Sequence, residues 1–345
     1  MQALAETPII RHSDSIGSAD VIMEDTLAMI AKLYARIAAA TWLATAALPV
    51  AAQQTPPDAQ RAAYNAMPNG PGTGAFGAVM TTDASLPRHV IYRPADLAAA
   101  PPLGVMVWGN GGCMADGASA RQHLLEIASH GYLVIAPGEV MSGPGAVAKR
   151  PDRRPDAAGQ MPPVATTGAD VLAGLDWALA ENQRAGSPLK GRIDPALVAV
   201  AGHSCGGLQA LEVAPDPRIK AVIVHNSGIF PDGINPIKGM SISKAMLGKL
   251  HTPVLYVLGG PADIAYPNGT DDFKRIAHVP ATLVQLPVGH GGTFFTPNGG
   301  AVAALSVDWL EWQLRGEKSS ARTFKGSNCR LCLVPGWTIE KKGID

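Results

Sequence analysis

From about residue 88 the chain alternates short apolar runs with stretches at helical spacing. The runs "HVIYR" (89–93), "LGVMVW" (103–108), "YLVIAP" (132–137) and "LVAVAG" (197–202) predict strands, as do 219–226, 252–260 and 281–287. Several are apolar without interruption, the pattern of strands covered on both faces. Between them, 118–131 reads as a helix stopped by Gly131, and 166–183, 208–215, 271–278 and 301–316 read as further helices. Repeated strand-then-helix order predicts an α/β fold: a doubly wound, mostly parallel sheet in a single domain. Right-handed crossovers then gather the loops that follow the strands at one sheet edge, where sites form.

Three stretches break the rhythm. "MPNGPGTGAFG" (67–77) is expected to be irregular and on the surface. The polar, Pro-rich segment 138–165 is a candidate rim loop. Residues 316–345 form a polar tail without clear periodicity.

The N-terminus follows another pattern. After Met29, the cations Lys32 and Arg36 precede an apolar run from Ile37 to Val50, and Val50-Ala51-Ala52 offers a small-residue cleavage site before Gln53. That is the order of a secretory signal peptide; the alternative is an amphipathic helix of the fold. The run is short for a membrane span and Pro49 interrupts it, so no stable span is expected after cleavage. Met1–Ala28 reads as an over-long gene start outside the fold. The expected division is 1–52 for extension and signal peptide, 53–315 for the folded domain, and 316–345 for the tail. The expected location is secreted or periplasmic.

Charge and composition narrow the partners. The formal net charge is +0 and aromatics make up 5% of 345 residues. Neither a basic face nor a base-stacking platform is expected, which argues against nucleic acid. The four cysteines, Cys113, Cys205, Cys329 and Cys332, form an even set that reads as disulfides in an exported chain. Cys329 and Cys332 make a C-x-x-C with no second such pair or His pair beside it, so a local disulfide is expected rather than zinc. No His/Asp/Glu cluster has metal-ligand spacing, and no cofactor is expected.

The candidate chemistry centres on Gly202-His203-Ser204-Cys205-Gly206. G-x-S-x-G occurs often by chance, and a plain structural turn is the alternative. Here it follows a buried apolar strand and opens a helix, the context in which a sharp turn exposes a serine nucleophile between small residues. A serine hydroxyl needs an adjacent base. His290, between glycines just after the strand 281–287, is the candidate, ahead of His89, His130, His203, His225, His251 and His278. An acid should orient that histidine. Asp263, a few residues past the strand 252–260, is the candidate, ahead of Asp271 and Asp272, which look like the solvated start of a helix. Two backbone N–H groups should hold the developing oxyanion. Cys205, directly after the nucleophile, supplies one; Gly112, in "VWGNGGCMADG" (107–117) beside Asn110, Gly111 and Cys113, is chosen for the other. Cys113 and Cys205 would then lie close together, either bonded or as two buried thiols.

The chain order Ser204, Asp263, His290 is that of the α/β-hydrolases. "EIASHGYLVIAP", "RIDPALVAVAGHSCGG", "TPVLYVLGGPADIAYP", "VGHGGTFF" and "SVDWLEWQL" make residues 88–315 resemble that superfamily. The resemblance is to its bacterial cutinase, polyester-hydrolase and dienelactone-hydrolase-like branch. It implies an α/β-hydrolase catalytic domain and a secreted serine carboxylester hydrolase acting through an acyl-enzyme. Two departures point away from polyesters and toward a smaller or differently shaped ester. Gly111-Gly112 stands where polyester hydrolases carry an aromatic clamp, and "HNSGIF" (225–230) stands where they carry a tryptophan. The tail "FKGSNCRLCLVPGW" is similar to the disulfide-bearing tails of secreted relatives. The competing readings are a peptidase or amidase with the same triad, and a non-catalytic binding protein on the same fold.

Overall fold

The computed structural model describes residues 57–151 and 162–345. The signal-peptide expectation for residues 1–52 and the middle of the 138–165 segment lie outside the described residues. Residues 57–345 form one compact unit.

Its elements alternate as expected. Helix α1 (Pro57–Ala66) leads into β1 (Ala78–Thr81), β2 (His89–Pro94) and β3 (Leu103–Gly109). Then come α2 (Arg121–Ser129), β4 (Tyr132–Pro137), α3 (Gly168–Glu181), β5 (Ile193–His203) and α4 (Cys205–Val213). β6 (Ala221–His225), β7 (Val254–Leu258), α5 (Tyr266–Arg275), β8 (Ala281–Gln285) and α6 (Gly300–Arg315) follow. Short α7 (Lys318–Ala321) and β9 (Thr338–Lys342) close the unit.

The strands make one sheet in the order β1-β2-β4-β3-β5-β6-β7-β8-β9. β4 through β8 in that order run parallel, while β1, β2 and β9 are antiparallel additions at the two sides. Side chains alternate between two faces. Val105, Val107, Val198 and Val200 point into one apolar core with Leu175 of α3, Leu208 of α4 and Phe273 of α5. Met106, Trp108, Ala199 and Ala201 point into a second core with Leu124 of α2 and Leu305 and Trp309 of α6. The small Ala199 and Ala201 leave room on that face for the two indoles. Helices cover both faces, which is why the central strands carry no polar alternation.

Local chemistry sets several boundaries differently from the periodicity. Helix α2 begins at Arg121, three residues late, because Asp116 accepts from the Ala118 amide and holds 116–120 in turns. α3 starts where Thr167 and Asp170 form a reciprocal capping box. α5 starts at Tyr266, five residues earlier than expected, with Pro267 in its first turn, where the missing N–H costs nothing. The 67–77 lead is irregular and at the surface, as expected, but it is held in place. Thr73 donates to Glu126, Gly74 to Ser129, and Phe76 to the Ser129 carbonyl, so it lies along α2.

The tail beyond Gly316 is also structured. Cys329 and Cys332 are disulfide-bonded, and β9 pairs with β8 from Ala281–Lys342 to Gln285–Thr338. Lys342 reaches under the sheet edge and donates to the carbonyls of Phe273, Lys274 and Ile276 at the end of α5, at 2.6, 2.9 and 2.9 Å. "TIEKK" shows no apolar periodicity because an edge strand needs only one neighbour, and charge suits its open side.

Candidate active site

The loops after β3, β5, β6, β7 and β8 meet at the carboxyl edge of the parallel strands. Ser204 occupies the turn between β5 and α4 with φ 54° and ψ −123°, a backbone state costly for a residue with a Cβ. The turn is possible because its flanks have no side chains. A Cβ on Gly202 would lie 2.1 Å from the Gly206 carbonyl oxygen, and one on Gly206 would lie 2.0 Å from that of Gly109. The Ser204 amide donates to the His225 carbonyl at 2.9 Å, anchoring the turn to β6.

Ser204, His290 and Asp263 are joined by hydrogen bonds. His290 Nε2 lies 2.9 Å from Ser204 Oγ, and His290 Nδ1 lies 2.6 Å from Asp263 Oδ1. An ionised carboxylate can only accept, so Nδ1 carries the proton and Nε2 is left to accept from the hydroxyl. The Asp263 side chain is fully buried. Burial alone would raise its pKa; hydrogen bonds from His290, the Gly259 and Ala265 amides and Asn226 outweigh that and hold it at about 2. The acid is therefore an anion throughout the neutral range.

Two further residues hold this chain in place. Asn226, just past β6 with φ 45°, donates through Nδ2 to Asp263 Oδ2 at 2.8 Å and to the Gly289 carbonyl at 3.1 Å. It couples the acid to the histidine loop. His203 donates through Nε2 to the His290 carbonyl at 2.8 Å, and its ring stands 5.3 Å from that of His290. Burial pushes the His203 imidazole down to about 4, so it is neutral. Neither role is marked by a motif in the sequence, where His203 stands out only as a candidate base and Asn226 not at all. The available signal was position: polar residues at the carboxyl ends of adjacent parallel strands.

The glycine turn after β3 lies alongside. Gly111–Cys113 form a short 3-10 turn in which Gly112 has φ 65° and Cys113 φ 48°. Asn110 fastens the turn from beneath by donating to the carbonyls of Met114 and Pro137. The Cys113 amide donates to the Asn110 carbonyl. Cys113 is disulfide-bonded to Cys205, with Cα atoms 5.2 Å apart, so the turn is tied covalently to the residue after Ser204. The Cys205 N–H, first in α4, has no partner within the helix and sits at its positive end. Cys205 lines the cavity beside Ser204; Gly112 does not reach that lining.

That cavity has a volume of about 80 Å³. It is lined by Ser204, Cys205 and His290, by Gly228, Phe230 and Ile237 from the connection after β6, and by Ile264, Ala265 and Asn268 from the segment that leads into and opens α5. His290 is the one titratable side chain in it. Asp271 and Asp272, weighed as competing acids, lie elsewhere. Asp271 is on the surface of α5 with Arg275. Asp272 is not solvated: it is fully buried mid-helix, because α5 begins early enough to turn it inward. Burial, only partly offset by Lys244, raises its carboxyl to about 6.

Among the described residues, no group of three or more His, Cys, Asp or Glu is arranged to hold a metal ion, and no helix is long and apolar enough to cross a membrane. The two disulfides suggest an oxidising, extracytoplasmic environment. The sequence matches no family model, and no curated protein matches it.

Proposed function

We propose that this chain is a serine carboxylester hydrolase of the α/β-hydrolase fold, secreted or periplasmic, acting through an acyl-enzyme. The supporting observation is the hydrogen-bonded chain Ser204–His290–Asp263 hung from a positive-φ turn beside an apolar cavity. In this reading His290 takes the Ser204 proton as Oγ attacks the ester carbonyl. Asp263, buried and ionised, fixes the imidazole tautomer and stabilises the imidazolium. The Cys205 amide receives the oxyanion together with that of Gly112 or its neighbour Gly111, since the Cys113 amide is held by the Asn110 carbonyl. His290 then protonates the departing alcohol, and the same histidine activates water for deacylation. The cavity is small and largely apolar, which suits a short, neutral group next to the reacting carbonyl.

The experiment is a p-nitrophenyl ester assay on the mature chain with Ser204→Ala alongside, together with fluorophosphonate labelling. Ser204→Ala should lose at least about 10³-fold in kcat and all labelling. A variant that keeps its turnover removes Ser204 from the chemistry. A wild type that hydrolyses matched anilides as readily as esters would shift the reading to an amidase.

A further inference from the structure

The cavity lining is drawn from two separate segments of the chain. Gly228, Phe230 and Ile237 sit on the long connection after β6, Ile264 and Ala265 just before α5, and Asn268 in its first turn. Behind them lies a buried ion pair that the proposed chemistry does not use. Lys244 Nζ donates to Asp272 Oδ1 at 2.6 Å, to Asp271 at 2.8 Å and to the Asn268 carbonyl at 3.3 Å. The other Asp272 oxygen accepts from the Ile229 amide at 2.7 Å and from the Tyr256 hydroxyl at 3.3 Å. Ile229 stands between the lining residues Gly228 and Phe230, and Asn268 is a lining residue of the other segment. The two backbones touch at this point: a Cβ on Gly228 would lie 2.2 Å from the Gly269 nitrogen.

Stability does not account for such a pair. Desolvating an ammonium and a carboxylate costs about as much as their attraction returns, and apolar side chains of like volume hold a core at least as well. What the pair supplies is direction. It binds the connection after β6, α5 and β7 at one point and allows one spacing between the two lining segments.

Building on the hydrolase reading, we infer that Lys244 and Asp272 are positioning residues that set the width of the substrate cavity, and thereby the length of the neutral substituent the ester may carry. They touch neither substrate nor the reacting atoms. Without them the connection carrying Phe230 and Ile237 moves away from α5, and longer chains enter.

The test compares wild type with Lys244→Met/Asp272→Leu, which removes both charges together. Two p-nitrophenyl-free series are run: fixed acyl group with alcohols of increasing length, and fixed alcohol with acyl groups of increasing length. In one series the kcat/KM ratio of eight-carbon to two-carbon substrate should rise about tenfold or more, a change worth about one methylene of pocket contact. For the short substrate KM should rise while kcat holds within about threefold, the mark of lost uniform binding. Fluorophosphonate labelling of Ser204 should stay near the wild-type rate. Should the double variant fail to fold, Asp272→Asn decides, since it keeps the side-chain shape and an acceptor for the Ile229 amide; a smaller shift in the same direction is expected. Unchanged ratios in both series for a folded variant overturn the inference. Failure of the hydrolase reading looks different: the wild type itself neither labels nor turns over any member of either series.

Discussion

Cys113 and Cys205 are 92 residues apart in the chain and bonded in the fold, and replacing both by alanine tests what that bond does. In the chain-entropy model a closed loop of that length is worth about 4.6 kcal/mol at 25 °C. Over a unit of roughly 290 residues, unfolding entropy near 0.6 kcal/mol per degree converts this to a Tm lower by about 7–8 °C. The same relation gives roughly a third as much for the three-residue separation of Cys329 and Cys332, so removing that pair is the internal control. Urea melts of the oxidised wild type and the two double variants read the difference. There is a second, local effect. Cys205 supplies one proposed oxyanion amide and Cys113 anchors the turn that supplies the other, so freeing them lets the donors drift apart. A misplacement near 1 Å costs about 10²-fold, and kcat for a short ester should fall between tenfold and a hundredfold with KM within about threefold. A Cys113→Ala/Cys205→Ala protein within about 1 kcal/mol of wild type, with unaltered kcat, would refute both parts of the reasoning.

Three other outcomes follow from the geometry. Asp263→Asn should cost about 10⁴-fold in kcat by presenting the wrong imidazole tautomer to Ser204, while a thermal melt changes little by comparison. Gly206→Ala should leave little folded protein by circular dichroism, since its methyl would lie 2.0 Å from the Gly109 oxygen and backbone cannot yield there. Stability should fall on acidification. His123 is held at about 3, by burial and then by His203, and His203 at about 4, by burial, both below the 6.5 of the unfolded chain. The unfolded state therefore binds more protons below pH 6.5; the stability is whole above that value and is lost as pH falls toward 4, at roughly 3 kcal/mol per pH unit for the two groups. Urea midpoints flat between pH 7 and 5 would contradict it.

The sheet was legible because its strands are buried on both faces. Runs such as "LGVMVW" and "YLVIAP" carry the pattern in every residue, and each appears as a strand within two residues of the expected ends. β1 and β9 were not, since strands with one partner and a wet face need no apolar run. Ser204, Asp263 and His290 could be picked out because each is the polar residue in a small-residue loop directly after a readable strand. Asn226 shares that position, but an amide has no chemistry of its own to announce it. Asp272 misled for a related reason. "TDDFKR" looks like an exposed acidic helix start unless Tyr266-Pro267 is taken as the first turn, and its partner Lys244 lies 28 residues earlier in a stretch without periodicity.

The antiparallel pairing of β9 with β8 bears on how the chain comes to rest. β8 is buried along Ala281–Val284, and its outer hydrogen-bonding edge is covered by residues 338–342 and no earlier part of the described chain. During synthesis that edge stays open until the polypeptide has been made through Lys342. Any chain stopped before that point presents a ready template for a strand from a neighbour. The lysine-rich strand thus works as a gatekeeper, and its three-carbonyl grip on α5 locks it once seated. Aggregation on expression should follow loss of residues 338–342 more closely than loss of any catalytic group.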